Sequence, residues 1–381
     1  MHTTTHPLGF LCVTGERYFL DRYTPLAAGL GRFAQRLETV YAPPLPEFLS
    51  KRNYPALFFS RFPLVRFLRT PAGVDRAKTS WAFDYKSGEL NRAIVPRRPD
   101  IVFHLFAQSR PIAGGGGVPY VMSLDYTTAL AIRDYPAWAN FPGSAARAAW
   151  LRRETAAFQD ALCLFPWSQH VADSLQRDYG VPASKIVVTG SSGNFSIDTE
   201  PRTFGGQRLF MNASDFARKG GDIAVAAMPL VRRRFPDAQL VIAGTSTGPA
   251  AAGVTYAGNI SGATAMRQHF READLVLAPA RCEPYGSFLV EAMAYGTPCL
   301  VANRGGMPEI VDHDVNGRVL PQLSPESLAA EIVSLLGDHN RLHTYSAAAR
   351  QKVHRSLNWD TITSRIIEAL VLRLPRNQEA P

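Results

Sequence analysis

Short apolar runs alternate with longer stretches of helical period along most of the chain. Runs at 8–13, 101–105, 119–124, 161–166 and 186–189 lie in the first half, and runs at 207–212, 239–243, 254–257, 275–278 and 298–302 in the second. Each is too short for a helix and is close to continuously apolar, the pattern of a strand covered on both faces. Strands that alternate with helices predict parallel sheets flanked by helical layers, an α/β fold. The alternation stops at 190–206, GSSGNFSIDTEPRTFGG, whose Gly, Ser, Thr and polar residues predict a linker. Two doubly wound domains are therefore expected, 1–198 and 207–356, each binding ligands at the carboxyl ends of its strands.

Composition agrees with two cores, since 46% of 381 residues are hydrophobic. No run approaches the ~18 residues that a membrane-spanning helix needs, and MHTTTHPLGFLCV carries no basic leader ahead of a long apolar region, so a cytoplasmic location is expected. Cys12, Cys163, Cys282 and Cys299 are scattered, and the nine histidines form no HExxH pattern. Neither a disulfide framework nor a bound metal or other cofactor is expected. The net charge of +9 has its clearest concentration at 51–69, where Lys51, Arg52, Arg61, Arg66 and Arg69 interleave with Tyr, Phe and Leu. Such a segment suits peripheral contact with a membrane surface, and equally a helix whose apolar face is core. No nucleic-acid motif accompanies it, so nucleic acid is not an expected partner.

Glu283 and Glu291 stand eight positions apart in 275–296, LVLAPARCEPYGSFLVEAMAYG. The apolar run 275–280 reads as a strand and 287–295 as a helix closed by Gly296, which puts Glu283 in the loop and Glu291 about one turn into the helix. The backbone N–H groups of Gly286, Ser287 and Phe288 open that helix, and amides there favour anionic or hydroxyl-rich ligands. Glu283 could accept from the hydroxyls of a sugar and Glu291 from those of a ribose. A loop charge and a helix-face charge describe the same two residues.

Taken with the following Ala-Tyr-Gly-Thr-Pro and Gly305-Gly306-Met307-Pro308-Glu309, this segment resembles the donor site of retaining GT-B glycosyltransferases of family 4. The resemblance implies two Rossmann-like domains facing across a cleft, with a C-terminal helix, 359–374 here, crossing back to complete the first. It also implies that Glu283 contacts the transferred sugar, Glu291 the nucleotide ribose, and the 286–288 backbone the sugar and diphosphate. A second matching segment, 210–224, FMNASDFARKGGDIA, offers Lys219 and Arg218 as cations for the leaving diphosphate, flanked by Gly220 and Gly221. The family pattern GRxxxxKG has arginine where this chain has Ser214. Gly244 and the turn Ala257, Gly258 and Asn259 lie at strand ends and are donor-site candidates; in the family the latter turn borders the base, whereas a generic strand-to-helix turn describes 244–246 equally well.

In the first half the resemblance runs through 120–130, YVMSLDYTTAL, and Glu154. Asp125 replaces a histidine that many members carry; a hydroxyl contact, a base toward the acceptor and a helix N-cap are all open to it. Gly15 loosely matches the glycine loop that meets donor phosphate. Together these features imply a metal-independent hexosyltransferase that moves a sugar from a UDP- or GDP-linked donor to a hydroxyl of a glycan, polysaccharide or glycolipid. Competing expectations are an epimerase or phosphorylase of the same fold, and a non-catalytic, membrane-associated nucleotide-sugar-binding protein.

Overall fold

Residues 8–45, 78–112, 117–195 and 198–374 are described in the computed structural model of the chain. The basic and aromatic segment 51–69 lies outside them. Contacts divide the chain into two units, one of Met1–Trp167, Val171–Thr189 and Thr363–Pro381, the other of Ser168–His170 and Gly190–Ile362.

Five parallel strands form the sheet of the first unit: β1 (Leu8–Glu16), β2 (Ala34–Ala42), β3 (Ile101–Leu105), β4 (Tyr120–Leu124) and β5 (Cys163–Pro166), in the order β2-β1-β3-β4-β5. The runs of β3, β4 and β5 are apolar because they are covered on both faces, and every residue of the three is buried. Helices α1 (Arg17–Arg22), α2 (Thr24–Gly31), α3 (Ser80–Ile94), α4 (Thr128–Asp134), α5 (Ser144–Asp160) and α6 (Gln169–Tyr179) accompany the strands. Two differences from the sequence pattern have clear causes. Strand β2, AQRLETVYA, sits at the sheet edge with only its end residues buried, so its charges hide it from an apolar search. The expected strand 186–189 makes one bridge, Leu164 to Ile186, and runs on beside β5 without becoming a regular strand.

A buried carboxylate holds the start of α4. Glu154 accepts from Tyr179 Oη at 2.6 Å and from Thr128 Oγ1 at 3.1 Å and N at 3.3 Å, while Trp150 Nε1 donates to Thr128 Oγ1. Burial raises the Glu154 carboxyl from an ordinary 4.5 to about 7, against these three donors. The folded chain thus holds this proton more tightly than the unfolded chain does. That contribution is complete below pH 4.5 and is lost as pH rises through 7. Relative to Glu154→Gln, the wild type is expected to lose about 3 kcal/mol of stability between about pH 5 and about pH 8. Thermal melts of both proteins across that range check this, and a pH-independent difference would refute it.

The second unit holds six parallel strands: β6 (Arg208–Asn212), β7 (Gln239–Ala243), β8 (Val254–Gly258), β9 (Leu275–Ala278), β10 (Cys299–Val301) and β11 (Gly317–Val319). Their order is β11-β10-β9-β6-β7-β8. Helices α7 (Gly221–Arg232), α8 (Ala263–Glu272), α9 (Ser287–Ala294), α10 (Met307–Ile310), α11 (Pro325–Leu336) and α12 (His339–Ser356) alternate with or follow them. Leu209, Met211, Leu240, Ile242, Leu275 and Leu277 from the sheet meet Ala224, Met228 and Val231 of α7 and Leu328, Ile332 and Leu335 of α11 in one core.

The stretch 190–206 contains no helix or strand among its described residues, yet it is anchored: Arg202 donates to the carbonyls of Phe270 and Ala273, and Ser192 Oγ to that of Leu357. Helix α13 (Trp359–Val371) is the last helix of the described chain, and from Thr363 onward it belongs to the first unit. There Gly29 of α2 packs so closely on it that an added Cβ would lie 2.6 Å from Thr363 Cγ2. All four cysteines are buried, two in each unit. Among the described residues no helix is long and apolar enough to cross a membrane.

Candidate active site

Strand order locates the site of the second unit. From β6 the chain proceeds outward through β7 and β8, then returns to place β9 on the other side of β6 and continues through β10 and β11. Neighbouring loops diverge at such a reversal and leave a crevice at the carboxyl ends of the strands. A pocket opens there, lined by Asn212 at the end of β6, Leu277 and Ala278 at the end of β9, and Lys219, Ala280, Glu283, Gly286, Phe288, Leu289 and Met307.

The loop after β9 carries Glu283, whose side chain is 18% exposed. Glu283 Oε2 lies 3.5 Å from Lys219 Nζ and 3.5 Å from Arg218 Nη1. Lys219, also 18% exposed, lines the pocket. The Arg218 side chain is 9% exposed and is bonded to Asp215 Oδ2 at 2.9 Å and to the Cys282 carbonyl at 2.8 Å. Two cations thus converge on one carboxylate, but only the ammonium lines the pocket.

Glycines make this loop arrangement possible, chiefly through contact with the protein itself. At Gly220, with φ +74°, an added Cβ would sit 1.9 Å from the Pro279 carbonyl oxygen, so the turn carrying Lys219 rests directly on the chain leaving β9. Gly305 plays the same part beside Glu283, where a Cβ would lie 1.8 Å from the Glu283 carbonyl oxygen. The glycines beside Lys219 therefore serve internal packing: Gly220 meets Pro279, and an added Cβ on Gly221 would meet the Phe216 ring.

Helix α9 starts at Ser287 with Gly286 as N-cap in the left-handed region, φ +105°. Its first turn presents Gly286 and Phe288 to the pocket. The Phe288 ring packs with Phe270 at 5.1 Å and Phe210 at 5.7 Å, which fixes the helix start against the sheet. One turn on, Glu291 Oε1 accepts from the Asn194 amide at 3.2 Å, and a Cβ on Gly193 would fall 2.3 Å from Glu291 Cγ.

Beyond β7 and β8 the two candidate turns are joined to each other. The Gly244 amide donates to the Gly258 carbonyl at 2.7 Å, and the Gly258 amide to the Thr245 carbonyl at 2.9 Å. Gly244, at φ +87°, lies so close to Ser214 that a Cβ would meet Ser214 N at 2.6 Å. Ala257 and Asn259 are exposed at the end of the sheet's edge strand.

Gly15 and Asp125 belong to the first unit and the other eleven candidates to the second. Gly15 is a strand residue within β1, paired with Tyr41 and Leu105, rather than part of a glycine loop; a Cβ there would touch the Leu105 carbonyl at 3.0 Å. Asp125 follows β4 directly and is partly exposed. The cap of α4 is Thr127, whose Oγ1 accepts from the Leu130 amide, so the N-cap alternative for Asp125 does not hold for this helix. The sequence pattern singles out neither Asn212 nor Met307. Asn212 sits at a strand end, where a polar residue closing an apolar run is the available signal, whereas Met307 has none beyond its Gly-Gly neighbours. Among the described residues no group of three His, Cys, Asp or Glu side chains could hold a metal ion.

Two parallel α/β units, the second with a pocket at its switch point, have the architecture of the GT-B fold. Residues 200–352 match the family described as Glycosyl transferases group 1. Over 173 residues, 40% of the chain, it is 32% identical to GDP-mannose-dependent alpha-(1-6)-phosphatidylinositol monomannoside mannosyltransferase of Mycobacterium tuberculosis, with 44% of that relative covered. The match spans less than half the length of the curated relative. Among solved structures, sucrose-phosphate synthase from Thermosynechococcus elongatus superposes with a TM-score of 0.64 at 16% identity, over 95% of this chain and 98% of that one. The Anabaena protein HepE in complex with UDP-glucose gives 0.61 at 16% identity, over 95% and 99%. At these identities the structural likenesses establish the fold.

Proposed function

We propose that the chain is a retaining, metal-independent glycosyltransferase that moves a hexosyl group from a nucleoside diphosphate sugar to a hydroxyl of a glycan, polysaccharide or glycolipid. One observation carries this reading: Lys219, Glu283 and the first turn of α9 share a single pocket at the switch point of the second sheet. A cation and helix-terminal amides suit a diphosphate, and a carboxylate beside them suits a sugar ring that gains positive charge as its bond to phosphate breaks. In this reading the electrons of that bond pass to the diphosphate, which Lys219 steadies. The acceptor oxygen attacks the anomeric carbon from the face the diphosphate leaves, which retains configuration, and its proton passes to the departing phosphate oxygen. Glu291 takes the ribose hydroxyls.

The relatives support the donor class: the name of the mycobacterial relative specifies GDP-mannose, and HepE was solved with UDP-glucose. The phosphatidylinositol monomannoside in the mycobacterial name favours a glycolipid over a glycan or polysaccharide as the acceptor. Calorimetric titration of chelator-treated protein with UDP, GDP, ADP and CMP tests the proposal. One nucleoside diphosphate is expected to bind, with affinity reduced about tenfold in Glu291→Ala by loss of the charge-assisted ribose contacts. Absence of binding by all four would overturn it.

A further inference from the structure

We infer that Arg218, together with Asp215, is a positioning device for Glu283 rather than a cation for the diphosphate; this rests on the transferase reading above. Arg218 has a place for each end of its guanidinium: Nε donates to Asp215 Oδ2, and Nη1 donates to the Cys282 carbonyl while lying 3.5 Å from Glu283 Oε2. A planar guanidinium that bonds a carboxylate and a backbone carbonyl in one fork fixes both in direction as well as distance. With its side chain 9% exposed, the group has little surface to offer a ligand.

The brace has a second strand. The Arg281 amide donates to the Arg218 carbonyl at 2.8 Å, and the Arg281 guanidinium binds Asp222 through both carboxylate oxygens at 2.7 Å and the Ala217 carbonyl. The turn 215–222 and the loop 281–283 are therefore stitched together by two arginines, one reaching from each side. Lys219 projects from the stitched turn and Glu283 from the stitched loop, so their separation is set by this seam. Asp215 neutralises Arg218, which leaves Lys219 as the cation whose charge faces the pocket together with Glu283.

A positioning role separates chemistry from binding. Arg218→Lys keeps the charge but loses the fork, and Asp215→Asn loosens its outer end. For Arg218→Lys, turnover is expected to fall about tenfold while the Kd for the nucleoside diphosphate stays within about twofold; Asp215→Asn should lose about threefold. The double variant should fall no further than Arg218→Lys, because both changes cut one connection. Weakened diphosphate binding in Arg218→Lys would make Arg218 a direct ligand and overturn the inference, as would unchanged turnover. Amide hydrogen exchange across 281–286 in ligand-free protein gives a second reading. Faster exchange in Arg218→Lys supports the brace, and unchanged exchange overturns it even if the wild type proves to turn over no nucleotide sugar, a result that would instead defeat the transferase reading.

Discussion

Glu283→Gln is expected to lower turnover by about 10²- to 10³-fold, the scale on which a single preorganised electrostatic group acts in a transition state. The amide keeps the shape of the carboxylate and one acceptor oxygen, so the change removes charge opposite the sugar ring with little change in volume. Nucleotide affinity should move the other way or not at all. Lys219 Nζ lies 3.5 Å from Glu283 Oε2, and without that carboxylate its charge is fully available to a diphosphate. Steady-state rates and a nucleotide titration on the same preparation separate the two effects. Turnover equal to that of the wild type would remove Glu283 from the sugar site.

Lys219→Ala is expected to damage both steps. Its ammonium is the pocket-facing cation at the carboxyl ends of β6 and β9, and removing it leaves Glu283 to repel the phosphates. A loss of about 10- to 100-fold in diphosphate affinity and about 10³-fold in turnover follows from losing a charge-assisted contact that strengthens as the bond breaks. The surrounding loops should keep their places, because Arg218 still holds Asp215 and the Cys282 carbonyl. Calorimetry and initial rates measure the pair of losses, with a melting curve as the control for folding. Diphosphate binding within about twofold of wild type would exclude Lys219 from the phosphate site.

The residues of this site are legible in the sequence one at a time, and it is the family resemblance, not the hydrophobic pattern, that brings them together. Glu283, Gly286 and Phe288 lie close together in the chain, so a strand, loop and helix start can be read from a local apolar run and a glycine. Lys219 lies far upstream of Glu283, and β9 lies beside β6 only because the chain reverses its direction of sheet growth after β8. Hydrophobic period carries no record of that reversal. Arg218 shows the same limit from another side. Its charge is visible beside Lys219, but its bonds to Asp215 and the Cys282 carbonyl depend on two loops being in register. Gly15 misleads for a related reason: a glycine near the end of a strand reads as a loop residue, whereas here it lets β1 lie close to Leu105 of β3. The interior strands are readable because burial on both faces forces apolar side chains, and β2 escapes notice because an edge strand is free of that demand.

The four buried cysteines give the protein an internal record of its own opening. Burial pushes the thiol of Cys12 up to about 11 and raises those of Cys163 and Cys299, so in the closed fold these sulfurs are both out of reach and poorly nucleophilic. Cys12 lies on β1 and Cys163 on β5 of one unit, while Cys282 lies in the Glu283 loop and Cys299 on β10 of the other. An alkylating reagent therefore marks a sulfur when the strand or loop around it gives way, and peptide mapping of the adduct tells which unit opened and whether the Glu283 loop opened first.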